Sequence, residues 1–311
     1  MKSKIEPLVV INLLNYNGKA DTAECIRSLE AIDYPNFIIM IIDNCSTDGS
    51  YEYLKKEFPE YKIFRTDVNL GYTGGINFGF VKATEFDPDY ILVINNDTIV
   101  EKSFLTHLVN SMEKNSEAAG AGGLILAEHD RETVWFGGGK LIPWRGLAVH
   151  FDKGLHKSVI KITSECPVTF LTGCMILFRA EALEKTGLED DRFFMYLDDI
   201  ELSSRIQRLG YSLVYNPKSV IYHKVLGENE SPFKLYYSVR NRLLLINSMN
   251  SGIIKFIAKF YFMSVIFVKI IVWSVTNSKF SKTARLALSD YFQGNLGKGN
   301  GLNLNQLTGS N

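Results

Sequence analysis

Charge of one sign is missing from this chain. Lys plus Arg and Asp plus Glu each number 34 among 311 residues, so the formal net charge is zero. A general nucleic-acid binder carries a basic excess, so nucleic acid is excluded as the expected partner. Cysteine is scarce: Cys25, Cys45, Cys166 and Cys174 stand apart with no CxxC spacing. That supports neither a zinc site nor a thioredoxin-like pair, and a disulfide framework does not suit so long a chain. Reduced, mostly buried thiols are the expectation. No small-residue cleavage site follows the apolar run at 8–14; polar Asn15, Tyr16 and Asn17 come directly after it. The run reads as a first strand rather than a signal peptide. Gly-Lys-Ser/Thr is also absent from the glycine-rich stretch at 69–79, and no dinucleotide fingerprint follows the first strand. Those absences argue against a P-loop and against an NAD-dependent oxidoreductase.

What is present alternates. Short apolar runs at 8–14, 37–42, 61–65 and 90–94 read as strands, and 22–29, 51–58 and 76–84 read as helices between them. Such βαβ order predicts a mostly parallel sheet, which binds ligands at the carboxyl ends of its strands. The polar clusters at 15–18, 43–50 and 95–98 all fall at such ends. Beyond them, 120–165 reads as a glycine-containing strand-and-loop insertion and 168–178 as a strand pair around Thr172-Gly173-Cys174. Residues 200–209 read as a helix stopped by Gly210, and 212–215 and 220–223 as short strands.

The clusters carry side chains that chemistry can use. Asn95-Asn96-Asp97-Thr98 leaves a buried strand without a linker, and a carboxylate there can hold a divalent cation together with substrate phosphate oxygens. A plain turn or helix cap explains the same four residues as well. Asp43 could accept hydrogen bonds from a base or ribose. The glycines of 69–79 precede and enter a helix start, where backbone can approach a ligand and the helix N-terminus favours anions. Phe193 to Tyr196 followed by Asp198-Asp199 suggests a pocket wall beside a base. Adjacent carboxylates point in different directions, so one of the two is expected to reach a substrate. Glu201 and Arg205 form an ordinary i, i+4 helix pair. His223 closes a strand, and a lone histidine is more often structural than a ligand.

Taken in order, these segments resemble the family 2 glycosyltransferases of GT-A fold, and within them the rhamnosyltransferase-like branch that builds surface polysaccharides. The resemblance rests on Asn15-Tyr16-Asn17-Gly18, the run from Ile42 to Ser50, Asn69 to Gly79, Asn95 to Thr98 and Thr172-Gly173-Cys174. It continues through Phe193 to Arg205, Gly210-Tyr211, His223 and Tyr236 to Asn241, and covers roughly residues 7–245. It implies an α/β, Rossmann-like mixed sheet flanked by helices. Donor contacts would fall on Asn15, Asn17, Asp43, Asn44, Gly74, Asn77, Asn95, Asn96 and Asp97. Mg²⁺ or Mn²⁺ would sit on Asp97 and His223. Asp199 would be the base of an inverting transfer, with Thr172, Gly173, Asp198 and Arg240 on the acceptor side. Many relatives carry Asp where this chain has Asn95 and Asn96, which leaves fewer negative charges near the metal. The implied donor is a nucleoside-diphosphate sugar, deoxythymidine-diphosphate rhamnose first and a uridine-diphosphate sugar next. The implied acceptor is a glycan or a polyprenyl-linked sugar. A non-catalytic nucleotide-sugar-binding partner subunit is the rival, favoured only by Asn95 and Asn96.

The expected organisation is a catalytic domain over 1–230, with a nucleotide-binding half at 1–100 and an acceptor-side half at 101–230. A helical, membrane-associating region at 231–296 and a disordered Gly/Asn-rich tail at 297–311 follow. Residues 253–275 are long enough to span a bilayer, but Lys255, Lys259 and Lys269 fall on one narrow face. An amphipathic helix lying in the membrane surface is therefore expected, ahead of a buried helix of a homodimer or core and of a true span. That places the protein in the cytoplasm, peripheral on the inner face of the cell membrane.

Overall fold

The structure is a computed structural model that describes residues 6–224 and 230–299. It opens with the expected alternation: β1 (Val9–Asn15), α1 (Lys19–Glu30), β2 (Phe37–Asp43), α2 (Ser50–Glu57), β3 (Lys62–Arg65), α3 (Gly71–Ala83) and β4 (Tyr90–Asn95). β1 pairs in parallel with β2 and with β4, in a register that aligns Asn15 with Asp43 and Leu14 with Asn95. Three polar strand ends are thereby brought to one level of the sheet. The strands are apolar on both faces because helices cover both sides, and Val9, Ile11, Ile41 and Leu92 are fully buried.

The second half adds β5 (Thr98–Val100), α4 (Phe104–Lys114), β6 (Ala118–Ala127), β7 (Val134–Phe136), β8 (Gly139–Ile142), β9 (Leu147–His150), β10 (Cys166–Val168), β11 (Met175–Arg179), α5 (Ala180–Thr186), α6 (Asp198–Arg208) and β12 (Ser212–His223). The main sheet runs β10-β12-β6-β11-β4-β1-β2-β3, with β5 on β12 and β7 on β6. It is mixed: β11 is antiparallel to both β4 and β6, while β12 is parallel to β6. This is a mixed sheet flanked by helices, as the resemblance implies.

Four expectations change. Residues 118–127 are not part of a loose insertion but a fully buried central strand. Its glycines are packing devices, since a Cβ on Gly123 would lie 2.1 Å from Ser219 O. Residues 168–178 do not form a strand pair, because β10 pairs with β12 and β11 lies between β4 and β6. The two short strands at 212–223 are one strand with a register shift between Asn216 and Val220. The helix behind the glycine-rich stretch also begins earlier than expected, at Gly71. Within it, a Cβ on Gly79 would lie 2.1 Å from Asn12 Oδ1, so the glycine lets α3 press onto β1.

Three helices complete the described chain: α7 (Pro232–Met249), α8 (Gly252–Thr276) and α9 (Ser278–Gln293). α7 is sealed to α9 by Tyr236 Oη donating to Asp290 Oδ2 at 2.6 Å. α8 buries Ala258, Phe262, Ile266 and Ile270 at i, i+4 spacing. The three lysines share that arc, leaving the opposite face to exposed Ile253, Phe256, Phe260, Phe267, Ile271 and Val275. Among the described residues this one helix is long and apolar enough to cross a membrane, with a mean hydropathy of 1.9. Of the tail expected to be disordered, 300–311 lies outside the described residues. Residues 297–299 are held: Gly297 N donates to Arg192 O at 2.8 Å and Gly299 N to Tyr237 Oη at 3.4 Å.

Candidate active site

A cleft of about 540 Å³ opens at the carboxyl ends of β1, β2 and β4. One wall carries Leu14, Tyr16, Asn44, Asn95, Asn96 and Asp97; Asn69, Gly71 and Tyr72 form its floor. Phe194, Met195, Phe233 and Tyr237 face them, and Lys298 and Gly299 reach in from the C-terminal segment.

Asp97 meets His223 because β5 pairs antiparallel with β12, which sets His223 opposite Thr98. His223 Nε2 lies 3.2 Å from Asp97 Oδ1, and Lys224 N donates to Asp97 O at 2.9 Å. The imidazole is held edge-on against Trp135, 4.6 Å between centroids. Asp97 Oδ1 and His223 Nδ1 are buried atoms without a hydrogen-bond partner among the described residues. A carboxylate and an imidazole each about 2.1 Å from one octahedral ion stand about 3.0 Å apart, so this pair fits two neighbouring ligands of Mg²⁺ or Mn²⁺. No cluster of three such side chains occurs among the described residues. Remaining ligands would have to come from substrate or water.

The other strand-end residues are mostly braced rather than free. Asn15 is fully buried, giving its amide N–H to Asp43 Oδ1 (2.8 Å) and Ser46 Oγ (3.1 Å) and accepting from Thr22 Oγ1 (2.8 Å). Asp43 is fully buried too; its Oδ2 accepts from Ser46 N at 3.0 Å and faces Arg65 Nε at 3.4 Å. Asn17, in left-handed backbone, accepts from Thr47 N at 2.8 Å and ties the two loops. Asn44 lines the cleft but spends its amide on Gly71 O (2.8 Å) and its oxygen on Leu70 N (3.0 Å). Asn96 is anchored by Thr22 Oγ1 at 2.8 Å.

Gly74 and Asn77 do not line the cleft. Gly74 backs onto Leu70, and Asn77 clamps the neighbouring loop through Glu189 O (2.8 Å) and Asp191 Oδ1 (2.6 Å). Nor does the start of α3 present free donors in the manner expected of its glycines. Phe194 O accepts from Thr73 N at 3.3 Å, and Gly71, with φ +78, has no Cβ because one would lie 2.4 Å from that oxygen. Arg240 turns away from the cleft as well. It is fully buried under Tyr237, and its guanidinium donates to Phe193 O (3.1 Å) and Gly297 O (2.7 Å). Beside it, Asn241 donates to Phe193 O and Met195 O, both 2.8 Å. Together they fix a segment in which Phe194, Tyr196 and Leu197 all have positive φ.

That segment delivers α6 and its two carboxylates. Asp199 Oδ2 accepts from Gly173 N at 3.1 Å, and Gly173 O accepts from the cleft-lining Tyr72 Oη at 2.9 Å. Asp199 is half-buried and is not itself among the residues lining the cleft; burial raises its pKa, opposed by the Gly173 N–H. Asp198 is buried, and burial followed by the charge of Asp199 pushes it up to about 8. Thr172 is buried in the same turn. Glu189 lies buried nearby with Oε2 unpartnered among the described residues. Burial, then Asp198 and Asp199, hold it well above the usual carboxylate range.

Sequence reasoning flagged the aromatic run at 193–196 as a wall but left out Tyr16, Tyr72, Phe233 and Tyr237 as lining residues. Lys298 carried no signal at all, since it stands in a Gly/Asn-rich stretch.

The sequence profile of glycosyl transferase family 2 matches residues 10–187, more than half of the chain. The chain belongs to this family. Over 215 residues it is 26% identical to an N-acetylglucosaminyl-diphospho-decaprenol L-rhamnosyltransferase of Mycobacterium tuberculosis, covering 62% of this chain and 69% of that one. Rhamnosyltransferase WbbL of Escherichia coli K12 is 27% identical over 170 residues, 53% of this chain and 64% of the relative. In structure, S. aureus TarS 1–349 in complex with UDP-GlcNAc superposes with a TM-score of 0.59 at 16% identity, covering 92% of this chain and 81% of that one. GalNAc-T7 with UDP, GalNAc and Mn²⁺ gives 0.59 at 18% identity; the match covers 75% of this chain and 48% of GalNAc-T7. These superpositions establish the GT-A fold.

Proposed function

We propose that this family 2 glycosyltransferase is divalent-metal-dependent and inverting, and moves a sugar from a nucleoside-diphosphate donor to a glycan or polyprenyl-linked acceptor in surface-polysaccharide synthesis. The observation that carries the reading is the Asp97–His223 pair, in which Asp97 lines the cleft and Asp97 Oδ1 and His223 Nδ1 are buried without hydrogen bonds among the described residues, while Asp199 is tied through Gly173 to the cleft-lining Tyr72. Rhamnose is the favoured sugar, supported by the mycobacterial and E. coli relatives being rhamnosyltransferases.

Asp97 and His223 would hold the cation, which when bound supplies positive charge to the departing nucleoside diphosphate. Asp199 does the chain's own chemistry. A sugar hydroxyl is a poor nucleophile, and a carboxylate opposite the leaving group takes its proton as the new glycosidic bond forms. The electron pair of the broken bond leaves on the diphosphate oxygen, and one displacement inverts the anomeric carbon. A raised pKa makes Asp199 a stronger base than an exposed aspartate, and the Gly173 N–H opposes the rise and aims the carboxylate.

The apolar face of α8 suits the surface of a membrane, with its lysines along the protein side facing headgroups. A cytoplasmic, peripheral position there would bring the cleft to a lipid-carried acceptor. The deciding experiment incubates the full chain with Mn²⁺ and deoxythymidine-diphosphate rhamnose, UDP-GlcNAc, UDP-galactofuranose or GDP-mannose, and measures release of nucleoside diphosphate. Release from one of them supports the reading; binding without turnover of any, acceptor lipid included, would leave a non-catalytic partner subunit instead.

A further inference from the structure

Among the described residues one cation lines the cleft, and it comes from beyond the last helix. Among the described lining residues, Lys298 alone carries a positive side chain; the rest are Asp97, neutral amides, aromatic and apolar groups and glycine. Its position is built rather than incidental. Gly297 N donates to Arg192 O at 2.8 Å, and Gly297 O accepts from the fully buried Arg240 at 2.7 Å. Gly297 turns the chain with φ +71, and Gly299 lies flush on the tyrosines, where a Cβ would meet Tyr236 Oη at 2.9 Å. The strap is thus pinned on both sides of Lys298 by the same arginine and tyrosines that fix the aromatic wall.

The charge of the opposite wall says what such a lysine can bind. With Asn95 and Asn96 neutral, Asp97 is the one carboxylate among the described lining residues, and a divalent ion on it offsets only part of the charge of a diphosphate. An ammonium on a flexible stem adds a point charge with three donors suited to phosphate oxygens. We propose that Lys298, delivered by the C-terminal strap, binds a diphosphate group in this cleft. The proposal rests on the glycosyltransferase reading. The diphosphate belongs either to the donor or to a lipid-linked acceptor.

The test uses the full chain as wild type, Lys298→Ala and Lys298→Arg. Calorimetry with UDP and with deoxythymidine diphosphate, each with Mn²⁺, probes the donor source, and farnesyl diphosphate probes the acceptor source. Lys298→Ala is expected to weaken one probe about ten- to hundredfold, the loss of one charge-assisted hydrogen bond, while Lys298→Arg restores most of it. Weakened nucleotide binding assigns the donor diphosphate; weakened farnesyl diphosphate binding alone assigns the acceptor's. Unchanged affinity for all three probes overturns the proposal. So does a loss that Arg fails to restore and that comes with a lowered melting temperature, because the strap would then be acting structurally. A wild type that binds UDP through Lys298 yet turns over no nucleotide sugar would overturn the transferase reading alone. Turnover by a wild type whose Ala variant binds unchanged would overturn this one alone.

Discussion

His223 Nε2 stands 3.2 Å from Asp97 Oδ1, with neither Asp97 Oδ1 nor His223 Nδ1 hydrogen-bonded among the described residues. A buried carboxylate oxygen left this way costs free energy unless something positive meets it. Asp97→Ala is therefore expected to weaken Mn²⁺-dependent nucleotide binding about tenfold or more, and His223→Ala to weaken it less. Titrating Mn²⁺ into each variant with UDP present reads the effect. Unchanged affinity in Asp97→Ala would remove that residue from the metal site.

Asp199→Asn keeps the shape and the Gly173 contact but loses basicity. Transfer should fall by about 10²–10⁴-fold, the usual contribution of a positioned base, while nucleotide binding stays measurable. Asp198→Asn should cost far less activity, because Asp198 is the more buried of the two. Equal losses from the two would contradict the division of roles.

Much of this site was legible in the sequence for a simple reason: apolar runs end abruptly in polar clusters, and parallel pairing brings those ends to one level. What was illegible depends on partners far along the chain. Asn15 and Asp43 read as donor ligands, yet their polar atoms are consumed by Ser46 and Thr22 and by each other. Arg240 read as an acceptor contact, but a cation can be fully buried when carbonyls surround it, and those carbonyls lie on 193 and 297. Gly74 and Gly79 read as glycines that let backbone approach a ligand and turned out to serve packing, because sequence alone does not say what a missing Cβ makes room for.

Stability should fall as pH rises. Asp198 is pushed up to about 8 and Glu189 well above its usual range, so the folded state holds protons that the unfolded chain releases near pH 4. Folding is unpenalised below that value, and the cost grows between about pH 4 and 8 by about 1.4 kcal/mol per pH unit for each proton retained. Asp198→Asn removes one such group, so its melting temperature should exceed that of wild type at pH 8 more than at pH 5. Identical pH dependence in the two would contradict the buried, protonated assignment.

Gly79→Ala ought to destabilise even though Ala is the better helix former. Its Cβ would lie 2.1 Å from Asn12 Oδ1, and Asn12 is fully buried with its amide bonded to Ile76 O at 3.1 Å. Overpacking of this kind costs about 1–3 kcal/mol. Gly75→Ala meets the flexible ends of Leu14 instead, at 2.6 Å, and should cost less. Urea unfolding of both variants gives the comparison, and a Gly75 variant as unstable as the Gly79 one would refute this account of the packing.

The face of α8 away from the protein presents Phe256, Phe260 and Phe267 to solvent, each more than 60% exposed. If that face lies in a membrane surface, Phe260→Ser with Phe267→Ser should release the protein from anionic vesicles, since each phenyl buried contributes about 1.5–3 kcal/mol. Lys255→Gln with Lys259→Gln should weaken binding at low salt and matter less at high salt, because headgroup attraction is screened. Vesicle flotation in low and high salt reads both effects. A membrane-surface helix also comes away in alkaline carbonate, whereas a helix crossing the bilayer resists it. Retention after carbonate, or flotation unchanged by both pairs of substitutions, would overturn the interfacial placement.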